Sequence, residues 1–255
     1  MKRSSLFIAL NIFFASFLVA QDAPNVIDAA GRKQGHWIKF SSNKKKLYDG
    51  NFVNDFPNGK FIYYSEAGIP WAITVFSKNG TVGYSQHFNG SGKLVGEGKY
   101  INQKKDSLWR FYNDEGKLVS VESYLNDLKH GSCKIYYTNG QLSEDKIYVN
   151  GLVDGDCIKY FADGKIKYKG QYKKDKVEGK TLFYYPSGTM SIEGFYKNDL
   201  KDGKWNFYNM DGTLKKKVLY TNGKSKDEGT IMTKEEEEKS KKQYEQKEIK
   251  EPNQE

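Results

Sequence analysis

Several features that often determine what a protein does are scarce in this chain. Its 255 residues include only two cysteines and five prolines, so a disulfide-stapled fold is excluded. Long apolar runs are missing beyond the first twenty residues, which excludes a bundle of membrane-spanning helices. Tyrosine, phenylalanine and glycine are abundant instead, with 19, 15 and 25 copies. This composition favours many short β-strands joined by glycine turns.

The single apolar run lies at the N-terminus. Lys2 and Arg3 precede apolar residues 6–18, and a small residue, Ala20, follows. A basic start, an apolar middle and a small residue before the cut are typical of a secretory signal. We therefore predict a signal peptide at residues 1–20, cleaved near Ala20/Gln21, and an exported protein that is periplasmic, outer-surface or secreted.

The positive charge is concentrated in the body of the chain. The net charge is +9; the predicted signal contributes +2 and residues 226–255 contribute −3, which leaves +10 on residues 21–225. A basic body can attract acidic polymers or membrane surfaces. Only Arg32 and Arg110 are arginines in this part, and its lysines are scattered. We therefore do not expect nucleic acid as a partner, and keep an acidic polymer or membrane surface as an alternative.

A 24-residue repeat organises most of the chain. Eight units fit residues 35–226 without insertion or deletion. We number positions within a unit from zero at its first residue, which is glycine in seven units and serine in one. These first residues are Gly35, Gly59, Gly83, Ser107, Gly131, Gly155, Gly179 and Gly203. We interpret the seven glycines as structural residues of the repeat.

Aromatic residues recur at two positions of every unit. Position 17 holds Phe52, Phe76, Tyr100, Tyr124, Tyr148, Tyr172, Tyr196 and Tyr220. Position 5 holds Phe40, Phe88 and six tyrosines, namely Tyr64, Tyr112, Tyr136, Tyr160, Tyr184 and Tyr208. The rings should stack on like residues across strands and cover the backbone of a thin sheet. The six tyrosines are also our candidate partner-binding residues.

Each unit has the pattern of a β-hairpin. A glycine stands at position 9 in seven units, as in Thr138-Asn139-Gly140, between two segments rich in aromatic and β-branched residues. One hairpin alone buries too little to be stable, so the units must stack. We predict an all-β fold, an elongated single-layer antiparallel sheet of stacked 24-residue hairpins with about sixteen strands.

The repeat resembles a known family. Its recurring G-x-W/F-x-x-Y, its Tyr/Phe-x-x-x-G-x-L turn and the linker from Tyr196 to Gly203 are similar to the MORN-repeat variant of bacterial proteins called YwqK-type antitoxins. The resemblance implies a hairpin solenoid and a role in neutralising a toxin by binding. Lys44 replaces the turn glycine in unit one, and Pro70 replaces the usual leucine in unit two.

The remaining segments flank the array. Residues 21–34 form an N-terminal lead-in to the first unit. Residues 227–255 are highly charged, with Thr233 and Glu236 spaced as in a helix-capping box. We predict a charged tail that is either helical or disordered.

Residues for catalysis or metal binding do not converge in the sequence. His36, His87 and His130 fall at unrelated repeat positions, and motifs for nucleophilic, zinc or phosphate chemistry are missing. Carboxylates at position 14 of several units, such as Glu97, Asp145 and Glu193, would form a spaced row rather than a pair. We therefore predict no catalytic residues, no cofactor and no metal, and a protein that is not an enzyme.

The two cysteines occupy the same repeat position. Cys133 and Cys157 both stand at position 2. Equivalent strands of successive hairpins are about 9.5 Å apart, whereas a disulfide needs Cα atoms within about 7 Å. We predict two reduced thiols that act as small fillers in a packing position.

These observations favour an exported, non-catalytic repeat scaffold that binds a protein or envelope partner through its extended sheet. One alternative is an antitoxin or immunity protein that binds a toxin. Another is lysine-mediated binding to acidic lipid or polysaccharide.

Overall fold

The computed structural model describes residues 23–225, all of whose regular elements are β-strands. The predicted signal peptide and charged tail lie outside the described residues. No helix within residues 23–225 has the length and apolar character needed to cross a membrane. The strands are β1 Val26–Ile27, β2 Lys33–Phe40, β3 Lys46–Val53, β4 Phe56–Tyr64, β5 Pro70–Ser77, β6 Val82–Phe88, β7 Leu94–Ile101, β8 Lys104–Tyr112, β9 Leu118–Leu125, β10 Leu128–Tyr136, β11 Leu142–Val149, β12 Leu152–Tyr160, β13 Ile166–Lys173, β14 Lys176–Tyr184, β15 Met190–Lys197, β16 Leu200–Tyr208, β17 Leu214–Thr221 and β18 Lys224–Ser225.

The strands form one open antiparallel sheet in which each strand pairs with the next along the chain. Each repeat unit supplies two of these strands, from β2–β3 to β16–β17, and the short β1 and β18 extend the two ends. The predicted all-β fold of stacked hairpins is confirmed.

The turn inside each hairpin explains the glycine at position 9. In the loop of residues 137–141, Tyr137 N–H donates to the Gln141 carbonyl at 2.8 Å, and Gly140 N–H donates to the Tyr137 carbonyl at 2.9 Å. Gly140 has a φ of +85°, which glycine adopts without a Cβ clash. Lys44 stands at the same place in unit one with a φ of +59°.

Lys44→Gly is expected to raise the free energy of unfolding by about 0.5–1 kcal/mol, because glycine removes the strain of a left-handed lysine. Ser107→Gly should do the same, since Ser107 has a φ of +59° where other units have glycine. Chemical denaturation checks both. Lys45→Gly, at a neighbour without positive φ, is the control and should lower stability; equal effects at positions 44 and 45 would contradict the prediction.

The connection between units two and three differs from the other connections between hairpins within residues 35–221. Those connections have two residues, such as Asn54-Asp55, whereas residues 78–81 form a four-residue loop. At position zero, six of the seven glycines have positive φ, and Gly83 does not. The pairing of β5 with β6 is also continuous, without the register shift seen next to Gly59, Gly131, Gly155, Gly179 and Gly203. Gly83 is required for space, because a Cβ there would lie 2.9 Å from Thr74 Cγ2.

The sheet has two different faces, because successive side chains of a strand point to opposite sides. We call one the ring face; it carries positions 2, 4, 13, 15, 17 and 22. The other, the tyrosine face, carries positions 1, 3, 5, 14 and 16. The buried side chains of residues 23–225 all lie on the ring face, so the core of this single-layer fold is one-sided. They are Phe52, Phe61, Ala72, Thr74, Ser85, Trp109, Ser120, Cys133, Val153, Cys157, Tyr168, Thr181, Trp205 and Val218.

Candidate functional site

Position 2 is the centre of the ring face. Trp109, which is 1% exposed, has ring centroids of Tyr100 and His87 at 4.9 and 5.7 Å, and stacks on Phe111 at 6.1 Å. Its indole N–H donates to the Lys99 carbonyl at 3.0 Å. Rings at position 17 therefore pack against rings at position 2, whereas the sequence predicted stacking on like residues of neighbouring strands.

A large ring at position 2 is matched by a glycine on the strand before it. This glycine stands at position 15 of the preceding unit, and an added Cβ would overlap the ring. The sheet therefore keeps a roughly constant side-chain volume at each such pair. The pairs are Gly50 with Phe61, Gly98 with Trp109, and Gly194 with Trp205.

Small residues at position 2 are matched by long ones. Cys133 pairs with Glu122 and Cys157 pairs with Lys146. Ion pairs then replace ring contacts: Glu122 lies 3.1 Å from the Lys129 ammonium, and Lys146 lies 3.0 Å from a carboxylate, that of Glu144. The cysteines are the fillers that the sequence predicted, but their neighbours are charged chains as well as rings.

The geometry of the cysteines agrees with the predicted free thiols. Cys133 on β10 and Cys157 on β12 both pair with Lys146 of the intervening β11. They are two strands apart, and both are buried free cysteines.

Native Cys157 is expected to resist alkylation. Burial, with a contribution from the Glu144 carboxylate, raises the pKa of its thiol from 9.0 to about 11, so its thiolate fraction at pH 8 is about a hundredfold below that of an ordinary thiol. Burial likewise raises the pKa of Cys133. Iodoacetamide labelling followed by mass spectrometry should modify both cysteines only after denaturation. Rapid labelling of the folded protein would contradict this.

The Glu122 carboxylate should make stability depend on pH. Burial raises the pKa of Glu122, but hydrogen bonds from Tyr124 and Lys129 outweigh burial and hold it below the usual 4.5. A carboxyl group with a lowered pKa stabilises the fold above pH 4.5 and loses that contribution as pH falls through its folded pKa.

Glu122→Gln is therefore expected to cost about 1–2 kcal/mol at pH 7, with a difference from wild type that shrinks between pH 5 and pH 3. Urea denaturation across this range measures it. Glu115→Gln is the control, because Glu115 is an exposed turn residue with a 68% exposed side chain. A difference that does not change with pH would be inconsistent with the assigned role.

Where positions 2 and 15 are both small, a third residue can fill the space. Thr181 at position 2 and Gly170 at position 15 of the preceding unit are one such small pair. The ring of Tyr168, at position 13, extends over Gly170. Tyr168 is 8% exposed, and its ring centroid lies 5.1 Å from that of Phe183.

The same space is empty between units two and three. Ser85 at position 2 pairs with Thr74 at position 15, and position 13 is Ala72, so none of the three supplies a ring. A cavity of about 250 Å³ opens here; we call it the unit-three pocket. Its floor is formed by these three buried residues, and its walls and rim include Tyr63, Trp71, Phe76, His87 and Tyr100.

A short polar chain runs along the floor of the unit-three pocket. Thr74 Oγ1 and Ser85 Oγ are 2.9 Å apart, and Ser85 Oγ is 3.2 Å from His87 Nε2. Burial, aided by the positive charge of Lys105, lowers the pKa of His87. Burial also raises the pKa of Tyr63 to about 12. The pocket therefore offers aromatic walls and uncharged hydrogen-bonding groups at neutral pH.

A second cavity of about 210 Å³ adjoins this pocket, sharing His87 and Tyr100 as lining residues. It adds a charge: the Lys105 ammonium lies 4.6 Å from the Trp109 ring centroid and 5.0 Å from that of Phe111. Together the two cavities form a groove with an uncharged end and a cationic end.

The predicted partner-binding tyrosines lie on the opposite side of the sheet. Tyr64, Tyr112, Tyr136, Tyr160, Tyr184 and Tyr208 are half-buried residues of the tyrosine face. Some of them hold the carboxylates of position 14: the Tyr112 hydroxyl donates to Glu97 at 2.8 Å, and the Tyr208 hydroxyl to Glu193 at 3.3 Å. The carboxylates form the spaced row that the sequence suggested.

The histidines are not brought together. His36 contacts Asp49 at 2.7 Å on the tyrosine face, whereas His87 lines the pocket. His130 accepts a hydrogen bond from the Asn150 backbone at 3.4 Å. Residues 23–225 contain no group of three or more His, Cys, Asp and Glu side chains placed to hold a metal ion.

Sequence reasoning missed the unit-three pocket. Its signal is the coincidence of three small residues, Ala72, Thr74 and Ser85, at positions that elsewhere supply at least one large side chain. A search for recurring residues passes over such a local exception.

Comparisons with known proteins agree with the hairpin repeat. The MORN repeat variant matches residues 129–150, 153–174 and 177–198, and the MORN repeat matches residues 48–60. No curated protein matches the chain. A chain from the solved structure "Crystal Structure of TcdB2-TccC3-Cdc42" aligns over 75% of this chain with 10% identity and a TM-score of 0.17; the alignment spans 15% of that chain. Residues 48–60 are therefore similar to a MORN repeat, and three segments between residues 129 and 198 are similar to the MORN repeat variant.

Proposed function

We propose that the protein is an exported, non-catalytic repeat scaffold that binds a protein partner through its ring face. The observation that carries the proposal is the unit-three pocket, an aromatic-walled cavity whose rim residue Trp71 is 44% exposed. Concave, largely apolar sites with a few polar groups are the usual places for recognition. Both matching family models describe repeats, which is compatible with a scaffold role.

A photo-cross-linking amino acid placed at Trp71 tests this proposal in the full chain, expressed in its own cells. Val75 is the matched control position, because it lies on the same strand, is 52% exposed and pairs with Tyr84 of the tyrosine face. The Trp71 ring instead contacts Tyr63 and His87 of the ring face. We expect a discrete cross-linked protein from position 71 that excess unmodified protein competes away. No such product, or equal products from both positions, would overturn the proposal.

The proposal that the protein is exported rests on residues 1–20, the predicted signal peptide. We expect cell fractionation to place the protein outside the cytoplasm and N-terminal sequencing to begin at Gln21. Recovery of an uncleaved cytoplasmic chain would contradict export while leaving the ring-face proposal intact.

An antitoxin or immunity role is the first alternative, and the family resemblance is its support. It predicts that expression of this chain relieves the toxicity of a toxin encoded beside its gene. Failure of both the exported and the signal-deleted forms to rescue growth would remove it.

Binding of acidic lipid or polysaccharide is the second alternative, supported by the charge of +10 on residues 21–225. It predicts binding to anionic vesicles or polymers that falls steeply with added salt. Absent or salt-insensitive binding would count against it.

One observation bears on a catalytic role, namely the hydrogen bond between Ser85 and His87. Ser85 is 1% exposed and also bonds to Thr74, so its hydroxyl belongs to the floor of the pocket. An activated serine needs a base that a third group orients, whereas the contacts of His87 with Ser85 and Tyr100 both involve Nε2. This arrangement favours a structural role for Ser85.

A further inference from the structure

We infer that the unit-three pocket binds an aromatic side chain of the partner protein, followed in the partner's sequence by a carboxylate. This inference rests on the proposed function and adds the chemistry by which the partner is recognised.

The next unit along the chain shows what the pocket is shaped to hold. Trp109 packs among one ring at position 17 and two at position 4, namely Tyr100, His87 and Phe111. The same three positions around Ser85 hold Phe76, Tyr63 and His87, and these three line the pocket. The walls for a position-2 ring are therefore present, but the chain supplies no ring there.

The size of the pocket fits a ring with a polar edge. A cavity of about 150 Å³ in another protein is large enough to bind benzene, and the unit-three pocket has about 250 Å³. The phenol of tyrosine or the indole of tryptophan can fill this larger volume, and the hydroxyl groups of Thr74 and Ser85 can accept the hydrogen bond of its O–H or N–H group. An aliphatic chain would leave these hydroxyl groups without a new partner.

The charge next to the pocket indicates the neighbouring residue of the partner. Three rings flank the Lys105 ammonium, with the Tyr124 centroid 5.1 Å away in addition to those of Trp109 and Phe111. The carboxylates of Glu122 and Asp127 also attract it. A cation is attracted less strongly by aromatic rings than by a carboxylate. A carboxylate of the partner that reaches this cavity would complement both Lys105 and the basic charge of the array.

Short peptides test the recognised chemistry directly on the full chain. The probes are N-acetyl dipeptide amides with the sequences Trp-Glu, Trp-Lys and Ala-Glu, together with free indole, and the measurement is isothermal titration calorimetry. We expect Trp-Glu to bind about tenfold more tightly than either other dipeptide, the difference that one well-placed ring or ion pair supplies.

Two variants separate the pocket from the fold. Thr74→Gly with Ser85→Trp copies the pairing of Gly98 with Trp109, so it should fill the pocket, keep the cooperative unfolding transition and abolish Trp-Glu binding. Lys105→Met keeps the apolar stem and removes the charge, so it should erase the preference for Trp-Glu over Trp-Lys while Trp-Lys still binds.

The outcomes distinguish this inference from the proposed function. If the filled variant still forms the wild-type cross-link from position 71, the partner binds the ring face without using the pocket, and the inference is wrong while the function stands. If wild type forms no cross-link, the proposed function itself fails. Equal binding of Trp-Glu and Ala-Glu, or binding of indole without Trp-Glu, would also overturn the inference.

Discussion

Gly98→Glu should lower the free energy of unfolding by about 3 kcal/mol, because a side chain at position 98 overlaps the ring of Trp109. Trp109→Cys should cost about 3–5 kcal/mol, because it removes a ring that is 1% exposed. The double variant should lose less than the sum. It recreates the pairing of Glu122 with Cys133 one unit further on, and Lys105 stands where Lys129 stands beside Glu122.

A double-mutant cycle by urea denaturation measures this coupling, which we expect at about 2 kcal/mol in the compensating direction. Gly90→Glu is the matched control, since no atom lies within 4 Å of a Cβ at Gly90 and its φ is not positive. It should change stability by less than about 0.5 kcal/mol. A cycle with no coupling would mean that position 15 and position 2 do not share one volume.

The period of the sequence was sufficient to predict the fold. Aromatic and β-branched segments define strands, and glycine at position 9 defines turns with positive φ, which are local requirements of the backbone. The first strand of every hairpin indeed ends on the aromatic residue of position 5, as at Phe40 and Tyr208. Local patterns of this kind repeat in every unit, so eight copies reinforce one prediction.

The assignment of faces could not be predicted in the same way. Positions 5 and 17 look equivalent in the sequence, yet they lie on opposite faces. The pairing register changes between Lys39 and Phe40, just before position 5. It changes again beside the glycine of position zero at most connections between hairpins. One extra residue in a strand changes which side chains share a face, and the repeat alone does not show where the extra residue falls.

The candidate site escaped prediction for a different physical reason. A cavity is a property of a pair or triplet of facing residues, such as Thr74 and Ser85, that are 11 positions apart in the chain. Only the pairing register shows that they share one volume. Once that register is known, the sequence itself shows that glycine at position 15 pairs with tryptophan at position 2, and glutamate with cysteine.

The compensation between large and small side chains at positions 2, 13 and 15 makes its clearest prediction at Tyr168. Its ring occupies the space that two small neighbours, Gly170 and Thr181, leave. Tyr168→Ala should lower the free energy of unfolding by about 3–4 kcal/mol, because a mostly buried aromatic ring is lost and the sheet cannot collapse around the gap. Tyr160→Ala, in the same unit but on the half-buried tyrosine face, is the control and should cost clearly less.

Tyr168→Ala should also open a second pocket, since alanine, Gly170 and Thr181 would then repeat the arrangement of Ala72, Thr74 and Ser85. We expect free indole to restore part of the lost stability by binding there, in proportion to its concentration. Thermal denaturation with and without indole measures this, and Tyr160→Ala should show no comparable recovery. If indole leaves the Tyr168→Ala variant unchanged, missing rings on this face do not create binding sites, and the unit-three pocket would need another explanation.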